Sequence, residues 1–452
     1  MNKKIFIVSL AIYQTKFWFD YILHSDLNKN NLFIICFDTE SKIFLKKKKF
    51  QNFIDISSYK SPKLLSSSLI KKKIRNYEVR NLNKILKHEK VFFGKRNNLK
   101  IASEFFLVLK ILNEIKILNN DNNIFIQEVG GFVPNMAIYQ FCKKNNLTHY
   151  FVESSFFTNR FHVVKNNYNC QPILNEKELD SYEFQNYIEN IKSKKKISIP
   201  SKDIRHFKTP IMKIFDLNNI YRFISKNFKK YFLNYNFVFD SDFLLLKQTI
   251  LNLKNFILLK KSYINNLNFE YVYFPLHVPN DYALTYRSQI YFDQIYFLEK
   301  IAKILSPLVI LIKEHPARIG SIPASKIKKL LSHNSNIRIA NPKLNSFTIL
   351  DKSLFLITIN SKAGYESILS KKHTFTFGES YYKNSDLVKF CNTFNDLFNY
   401  KNHLKKNFND NEVRKFFKLT FISSFKGSLY NLNFENIKNF KNSLDQIINN
   451  EI

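Results

Sequence analysis

Residues 271–382 constrain the fold more than any other part of the chain, because three apolar runs there each end abruptly in polar residues. The runs are YVYFPLH, ending at His277, LVILIKEHP, ending in Glu314, His315 and Pro316, and LFLITINS, ending at Asn360 and Ser361. Segments with helical spacing separate them. This alternation predicts a doubly wound α/β unit with a parallel sheet, and such sheets bind ligands at the carboxyl ends of their strands.

The length and the apolar content of the chain predict more than one domain. A chain of 452 residues is too long for one hydrophobic core, which serves roughly 250–300 residues. Hydrophobic residues make up 45% of the sequence and aromatic residues 16%, which is ample for two cores and argues against global disorder.

Changes in the apolar pattern divide the chain into four segments. Residues 1–174 alternate strands and helices and are expected to form an N-terminal α/β domain. Residues 175–267 are expected to form a helical insertion and linker, entered through Ile199-Pro200-Ser201 and including a helix over Asp240–Lys260. Residues 268–405 are expected to form a C-terminal α/β domain, and residues 406–452 C-terminal helices that can cross back to the N-terminal domain.

Within these segments the pattern predicts individual elements. The N-terminal strands are expected at Ile5–Leu10, Leu32–Phe37, Val91–Phe93, Ile124–Gln127 and Tyr150–Glu153, and helices at Ala102–Leu118, Pro134–Lys143 and Thr285–Leu305.

The charge of the chain has two explanations. Its 70 Lys and Arg residues against 36 Asp and Glu give a formal net charge of +34. That charge suits an anionic partner, but the abundance of Lys, Asn, Ile, Phe and Tyr would also follow from an AT-rich genome. No zinc pattern, RRM-like aromatic motif or helix-turn-helix is present, so a nucleic-acid partner is not expected. A weak electrostatic hold on an anionic membrane surface remains expected.

The cysteines and the N-terminal residues indicate in which cellular compartment the protein is expected. The 4 cysteines are scattered without CxxC spacing, so neither a disulfide framework nor a metal site is expected. The N-terminal MNKKIFIVSLAIY lacks a cleavage site and is interpreted as a buried strand. No apolar run approaches the roughly 18–20 residues that span a bilayer. We expect a cytoplasmic protein, at most peripheral on the cytoplasmic face of the inner membrane, without a cofactor.

The second apolar run ends in groups that suit a phosphate. The imidazole of His315 can donate a hydrogen bond to a phosphate oxygen, and Pro316 stops the strand. Arg318 and Lys313 can add positive charge, and Glu314 stands beside them. The alternative is a structural His–Glu pair in a strand-to-helix turn.

The third run leads into a helix through a turn of small residues. Asn360 and Ser361 follow the strand, Ser361 is expected to cap the helix, and Gly364 and Glu366 lie in its first turn. Free N–H groups there would bind an anion, and Glu366 could accept hydrogen bonds from ribose hydroxyls. The alternative is a capped helix whose Glu complements the dipole.

The first run and the N-terminal strands supply the remaining candidates. His277 ends its strand before a loop shaped by two prolines and closed by Asp281, although a core histidine is the alternative. Sugar transfer needs a carboxylate near the anomeric carbon, as a general base or as a nucleophile. Glu153 and Glu128 both end N-terminal strands and are the catalytic candidates, with Glu153 preferred.

These motifs together resemble the bacterial capsule polysaccharide biosynthesis proteins. The resemblance covers most of residues 269–382. It rests on five motifs: PLH followed by Pro and an acidic residue, YFDQ, KEHP, TINSKAGYES and TFGESYY. A weaker resemblance in the N-terminal domain rests on Gly130-Gly131 and FFTNRFHV. Many relatives carry Gln-Pro-Glu after the first motif, whereas this chain has Val278-Pro279-Asn280-Asp281, which leaves the donor sugar open.

The resemblance implies a GT-B fold, in which two Rossmann-like domains face a cleft, with the helical insertion between them. Residues 1–174 would then be the acceptor-side domain and residues 268–405 the nucleotide-sugar-binding domain. It also implies a glycosyltransferase of surface polysaccharide synthesis that uses a CMP-activated acidic sugar such as Kdo. His315 and Pro316 would hold the CMP phosphate with Ser361 and Glu366 nearby, and a saccharide or lipid-linked saccharide would be the acceptor. No DxD-like metal motif is evident in the donor half, so no metal is expected. A UDP-sugar enzyme and a non-catalytic component of capsule assembly or export are the alternatives.

Overall fold

The computed structural model describes residues 3–94, 97–118, 120–175, 181–194, 204–240 and 242–451. The strands of this described part, numbered along the chain, are β1 (Ile5–Ser9), β2 (Leu32–Cys36), β3 (Phe53–Asp55), β4 (Ile124–Glu128), β5 (Thr148–Ser154), β6 (Arg160–Lys165), β7 (Tyr263–Ile264), β8 (Tyr271–Pro275), β9 (Val309–Lys313), β10 (Ile337–Ala340), β11 (Leu356–Thr358), β12 (Thr374–Thr376), β13 (Val388–Phe390) and β14 (Phe425–Lys426).

Helices connect the strands and cover the sheets. The α-helices are α1 (Ile12–His24), α2 (Thr39–Lys47), α3 (Ser67–Asn76), α4 (Leu82–Ile85), α5 (Lys87–Phe93), α6 (Asn98–Glu114), α7 (Val133–Lys144), α8 (Ser181–Lys194), α9 (Pro210–Ile214), α10 (Leu217–Phe232), α11 (Asp242–Leu259), α12 (Gln294–Leu305), α13 (Ala324–His333), α14 (Ser346–Lys352), α15 (Ala363–Leu369), α16 (Tyr400–Leu404), α17 (Asp410–Ile422) and α18 (Phe434–Asn449).

The N-terminal half is built on a seven-stranded sheet of order β14-β6-β5-β4-β1-β2-β3. Five neighbouring strands, β5, β4, β1, β2 and β3, run parallel. At one edge β6 pairs antiparallel with β5, and β14 pairs antiparallel with β6. Strand β1 is buried at every position, because its side chains meet apolar helices on both faces. The carboxyl ends of β4 and β5 carry Glu128 and Glu153.

The C-terminal half is built on a second seven-stranded sheet, of order β13-β12-β11-β8-β9-β10-β7, in which every pair is parallel. From β8 the chain winds outward through β9 and β10, then returns to the other side of β8 with β11. The crevice beside β8 and β11 is therefore the topological switch point, where doubly wound sheets bind ligands. Two such Rossmann-like halves confirm the predicted fold class.

Helices outside the two sheets complete the molecule. In the sequence, helices α9, α10 and α11 come between the N-terminal and the C-terminal halves. Helix α18 packs on α1, where Phe440 and Leu444 share a core with Phe17 and Trp18. Asp445 of α18 accepts a hydrogen bond of 2.6 Å from the Tyr21 hydroxyl. In the described part of the chain no helix is both long enough and apolar enough to cross a bilayer.

Some expected elements differ from those observed. Val91–Phe93 is wrong as a strand: it ends α5, where Phe92 packs edge-on against Phe132 at 5.0 Å. The helix expected over Thr285–Leu305 begins only at Gln294, because Asp293 caps it by accepting two backbone N–H groups; a π-helical turn and a 3₁₀ turn precede it. Ile199-Pro200-Ser201 lies outside the described residues.

Several strands were not expected from the apolar pattern, and the shortest of them, β7 and β14, join the sheets from outside the predicted α/β segments. Strand β7 comes before residue 268 yet joins the edge of the C-terminal sheet, and β14 lies among the C-terminal helices yet pairs with β6 of the N-terminal sheet. Each has only 2 residues, too few to leave a periodic signal.

Candidate functional site

A cavity of about 1320 Å³ lies between the two halves and is lined by residues of both. Every predicted site residue except Gly364 lines it. The N-terminal residues are Glu128 and Glu153, and the C-terminal residues are His277, Asp281, Glu314, His315, Pro316, Arg318, Asn360, Ser361 and Glu366. The ends of β4, β5, β8, β9 and β11 thus open into one space.

His277, after β8, is held in place by the side chain of Gln294 and by the main chain of Asn360. Its backbone N–H donates to Gln294 Oε1 at 2.7 Å, and its Nε2 accepts from the Asn360 N–H at 3.2 Å. The proton therefore sits on Nδ1, which has no hydrogen-bond partner among the described residues. Burial, followed by the nearby His315, lowers the His277 pKa to about 3. This neutral histidine ties β8 to β11 and keeps one donor at the cavity wall.

His315, after β9, is arranged to donate rather than to carry charge. Its Nδ1 accepts from the Ala317 N–H at 3.2 Å, so the proton sits on Nε2. Burial first, and then the charges of Lys313, Arg318 and Lys213, lower its pKa to about 4. The Nε2–H of a neutral imidazole can bind a phosphate oxygen, and the surrounding cations supply the positive charge.

Arg318 and Asp281 complete this end of the cavity. Burial lowers the pKa of Arg318, and the charge of Asp281 opposes that shift. Asp281 Oδ1 also accepts from the Ala283 N–H at 2.8 Å and so begins the π-helical turn after the proline loop. Asp281 therefore orients the loop as well as facing the arginine.

Glu366 is a buried carboxyl at the start of α15. Burial raises its pKa to about 7, and the charge of Lys313 opposes the rise. Its Oε2 has no hydrogen-bond partner among the described residues. Lys313 is itself buried and donates to Ser346 Oγ at 3.3 Å. A cavity-lining carboxyl with a free oxygen can accept from hydroxyl groups of a ligand.

The turn after β11 is fixed by its own hydrogen bonds. Asn360 Nδ2 donates to Ala283 O at 2.9 Å and to Ser288 Oγ at 2.8 Å, which ties this turn to the π-helical turn. The N-cap of α15 is Lys362 and not Ser361 as expected, because the helix begins one residue later, at Ala363. Ser361 Oγ still accepts from the Ala363 N–H, the first of α15, at 3.2 Å. Helix α15 has only 7 residues, so its dipole is small and the basic side chains dominate the field.

Gly364 and Glu314 both make close contacts within the protein itself. Gly364 does not line the cavity; a Cβ there would lie 2.2 Å from Tyr382 Cζ, so the glycine makes room for a ring whose hydroxyl donates to Ser361 O at 2.6 Å. Glu314 does line the cavity, but one of its oxygens accepts from the Tyr263 hydroxyl at 2.5 Å and the other from the Gly320 N–H at 2.8 Å.

Glu153 joins the two halves of the protein. Its carboxylate lies 2.9 Å from Arg287 Nη2 and accepts from the Tyr381 hydroxyl at 2.5 Å, both in the C-terminal half. Burial favours the neutral acid, but the charge of Arg287 and the hydrogen bonds from both partners outweigh it and hold the Glu153 pKa below its usual value. Glu153 is therefore an ionised group at the cleft.

Glu128 lies at the end of the neighbouring strand β4. Its Oε2 accepts from Gln14 Nε2 at 3.1 Å and from the Tyr430 hydroxyl at 2.8 Å. Gln14 and Tyr430 line the same cavity, and Gln14 belongs to α1. The two carboxylates therefore stand on adjacent strands, one beside a guanidinium and one beside an amide and a phenol.

The insertion contributes cavity residues that the sequence did not reveal. His206, Phe207 and Arg222 line the cavity. Lys213 of α9 donates to Ala317 O at 2.7 Å, within the turn that follows His315. Burial, followed by the charge of Arg318, lowers its pKa to about 8. Only the tertiary fold brings this segment to β9, so no local signal could have identified it; the same holds for Arg287 and Tyr381.

Comparison with known proteins finds a family to which part of the chain is similar. Residues 219–425 match the profile of the family described as capsule polysaccharide biosynthesis protein, which confirms the resemblance found in the motifs. A search of curated proteins finds no match.

A search of solved structures returns, among others, two KpsC transferases of Thermosulfurimonas dismutans. The β-Kdo 2,7-transferase is 11% identical with a TM-score of 0.39, and the alignment covers 99% of this chain and 100% of that one. The β-Kdo 2,4-transferase is 13% identical with a TM-score of 0.32, over 75% of this chain and 96% of that one. A glycosyltransferase of Rickettsia africae is 12% identical with a TM-score of 0.30, over 99% of each chain. The overlap in geometry is low, so the fold assignment rests on the two sheets described above.

Proposed function

We propose that this chain belongs to the capsule polysaccharide biosynthesis proteins and is a glycosyltransferase that uses a CMP-activated acidic sugar, such as Kdo, to build a surface polysaccharide. The observation that carries the proposal is the convergence of His277, His315 and Ser361 on one cavity at the switch point of the C-terminal sheet. Nucleotides bind at that position in doubly wound sheets.

The charge around His315 favours an anionic donor. Lys213, Lys313 and Arg318 all act on the His315 ring, and Arg222 lines the same cavity. A CMP-linked acidic sugar carries a phosphate and a carboxylate. Lys313 is buried and Lys213 and Arg318 are partly buried, so water screens their attraction to these charges less than at an open surface. Glu366 then accepts from the ribose hydroxyls, and Pro316 and Asn360 fix the turns that hold the donor.

Glu153 and Glu128 have different roles in the proposed reaction with the acceptor. A general base works best with a pKa near the working pH, and the pKa of Glu153 is held below its usual value by Arg287. An ionised Glu153 suits stabilisation of positive charge at the anomeric carbon, or attack on it. Glu128, beside Gln14 and Tyr430, is the candidate to take the acceptor proton.

The acceptor in this proposal is a saccharide or a lipid-linked saccharide at the cytoplasmic face of the inner membrane. The net charge of +34 supports peripheral association with anionic lipid there.

Product formation tests the proposal. Purified protein is incubated with CMP-Kdo or with UDP-sugars, and with saccharide and lipid-linked acceptors, and products are identified by mass spectrometry. We expect transfer from the CMP donor, and a loss of at least about a hundredfold for Glu128→Gln and His315→Ala. Glu412→Gln, which removes an exposed carboxylate of α17, is the matched control and should transfer normally.

Other outcomes contradict the proposal in distinct ways. Transfer only from a UDP-sugar would show that the CMP assignment is wrong. An absence of transfer from every donor would favour a non-catalytic role in capsule assembly or export.

A further inference from the structure

Helix α10 presents its apolar face to solvent. The exposed apolar residues, which are 42–79% accessible, recur at intervals of three and four and so form one stripe: Leu217, Ile220, Tyr221, Ile224, Phe228, Tyr231 and Phe232. None of the 16 residues of this helix is buried. An amphipathic helix of a soluble protein normally turns such a stripe toward the core.

The orientation is fixed by the polar face, which points inward. Three lysines of α10 pair with carboxylates of α2, of the loop before α11 and of the first residue of α11. The pairs are Lys226–Asp242 at 3.0 Å, Lys229–Glu40 at 2.5 Å and Lys230–Asp240 at 2.6 Å. The helix is thus held with its charged side on the protein and its apolar side outward.

The neighbouring elements enlarge this apolar area. Ile211 and Met212 of α9, and Phe215 between α9 and α10, are 48–74% exposed. Helix α11 exposes Phe243, Leu246, Ile250 and Ile257, with exposed Lys247 and Lys254 interleaved. Soluble monomers rarely expose apolar patches of such extent, and the usual reason is a partner that covers them.

The composition of this exposed apolar surface indicates which kind of partner covers it. Exposed phenylalanine, tyrosine and isoleucine side chains, with the exposed Lys247 and Lys254 among them, match the composition of helices that lie in the interface of an anionic bilayer. A second copy of the chain is disfavoured, because two molecules of net charge +34 repel each other. We propose that the outer face of α9, α10 and α11, with α10 at its centre, is a docking surface for an anionic membrane and lies in the headgroup region without spanning it.

This surface adjoins the candidate active site. Phe207, Lys213 and Arg222 of the same segment line the cavity or contact its wall beside His315. Docking through α10 would hold the cavity close to the headgroups, where a lipid-linked acceptor presents its saccharide. The inference rests on the proposed peripheral association and requires no sugar transfer.

Flotation of the full chain with lipid vesicles tests the inference. Vesicles of phosphatidylcholine with phosphatidylglycerol are compared with vesicles of phosphatidylcholine alone, at low and high salt. The test variant is Phe228→Ser/Phe232→Ser, and the matched control is Phe398→Ser/Phe434→Ser, which removes two phenylalanines of similar exposure elsewhere: 53% and 74% against 63% and 69%. Circular dichroism and a thermal melt verify that each variant folds.

We expect the native chain to bind the anionic vesicles and the α10 pair to weaken that binding at least about tenfold, with the control pair within about twofold. Added salt should weaken binding further. The proposal is overturned if the native chain does not float with anionic vesicles, if both pairs lose binding equally, or if light scattering shows self-association through α10 without vesicle binding. A protein that docks through α10 but transfers no sugar contradicts only the proposed function.

Discussion

The ion pair between Glu153 and Arg287 should contribute strongly to holding the two halves together. The Arg287 side chain is only 4% exposed and that of Glu153 28%. Removing one partner of a buried pair costs about 3–5 kcal/mol, because the other charge is left buried and unpaired. Since Glu153 is partly exposed, we expect Glu153→Gln to lower the free energy of unfolding by about 3 kcal/mol, at the lower end of that range.

A double-mutant cycle isolates the pair. Urea unfolding is measured for the native chain, Glu153→Gln, Arg287→Met and the double variant. If the ion pair is the cause, the double variant should be less destabilised than the sum of the single variants, with a coupling of about 2 kcal/mol or more. A coupling below about 0.5 kcal/mol would refute the reasoning.

The pH dependence of this pair has a defined sign. The Glu153 pKa is lower in the folded state than in the unfolded chain, so its stabilisation is present above the ordinary carboxyl pKa. It is lost as the pH falls through the lowered value. The difference between the native chain and Glu153→Gln should therefore shrink in acid, and a difference that grows in acid would contradict the assignment.

Three further predictions concern the cavity and helix α15 beside it. His315→Ala should weaken nucleotide binding at least about tenfold in calorimetry with an unchanged thermal melt, and Ser361→Ala should cost less because neighbouring N–H groups remain. Affinity for the nucleotide should fall as the pH rises through about 8, where Lys213 loses its proton, and Lys213→Met should flatten that profile. Gly364→Ala should destabilise the fold by about 1–3 kcal/mol in urea unfolding, since its Cβ would clash with Tyr382; an unchanged midpoint would contradict that packing.

The sequence predicted the central strands of the C-terminal sheet because those strands leave a strong local signal. Strands β8, β9 and β11 are runs of branched and aromatic residues, buried on both faces, that stop at polar residues. The three strands run in the same direction because a helical connection between successive strands returns the chain to the same end of the sheet. The ends of the three strands, and so His277, His315 and Ser361, could therefore be expected on one side of the sheet.

The remaining features depend on contacts that no local pattern records. Val91–Phe93 has the composition of a strand, yet it forms the last turn of a helix that packs on Phe132. Lys213 reaches the site from an insertion about a hundred residues before β9, and Arg287 meets Glu153 only after the two halves fold together. Tertiary packing overrides local preference at each of these positions.

The measurement closest to the central claim is nucleotide binding in the C-terminal cavity. Thermal melts and calorimetry of the native chain and His315→Ala are recorded with CMP, CDP, UDP and GDP, since a ligand that binds only the folded state raises the melting temperature. The account predicts that CMP stabilises the native chain most and that the variant loses most of this effect. Equal stabilisation of both proteins by CMP, or no response to any nucleotide, would contradict it.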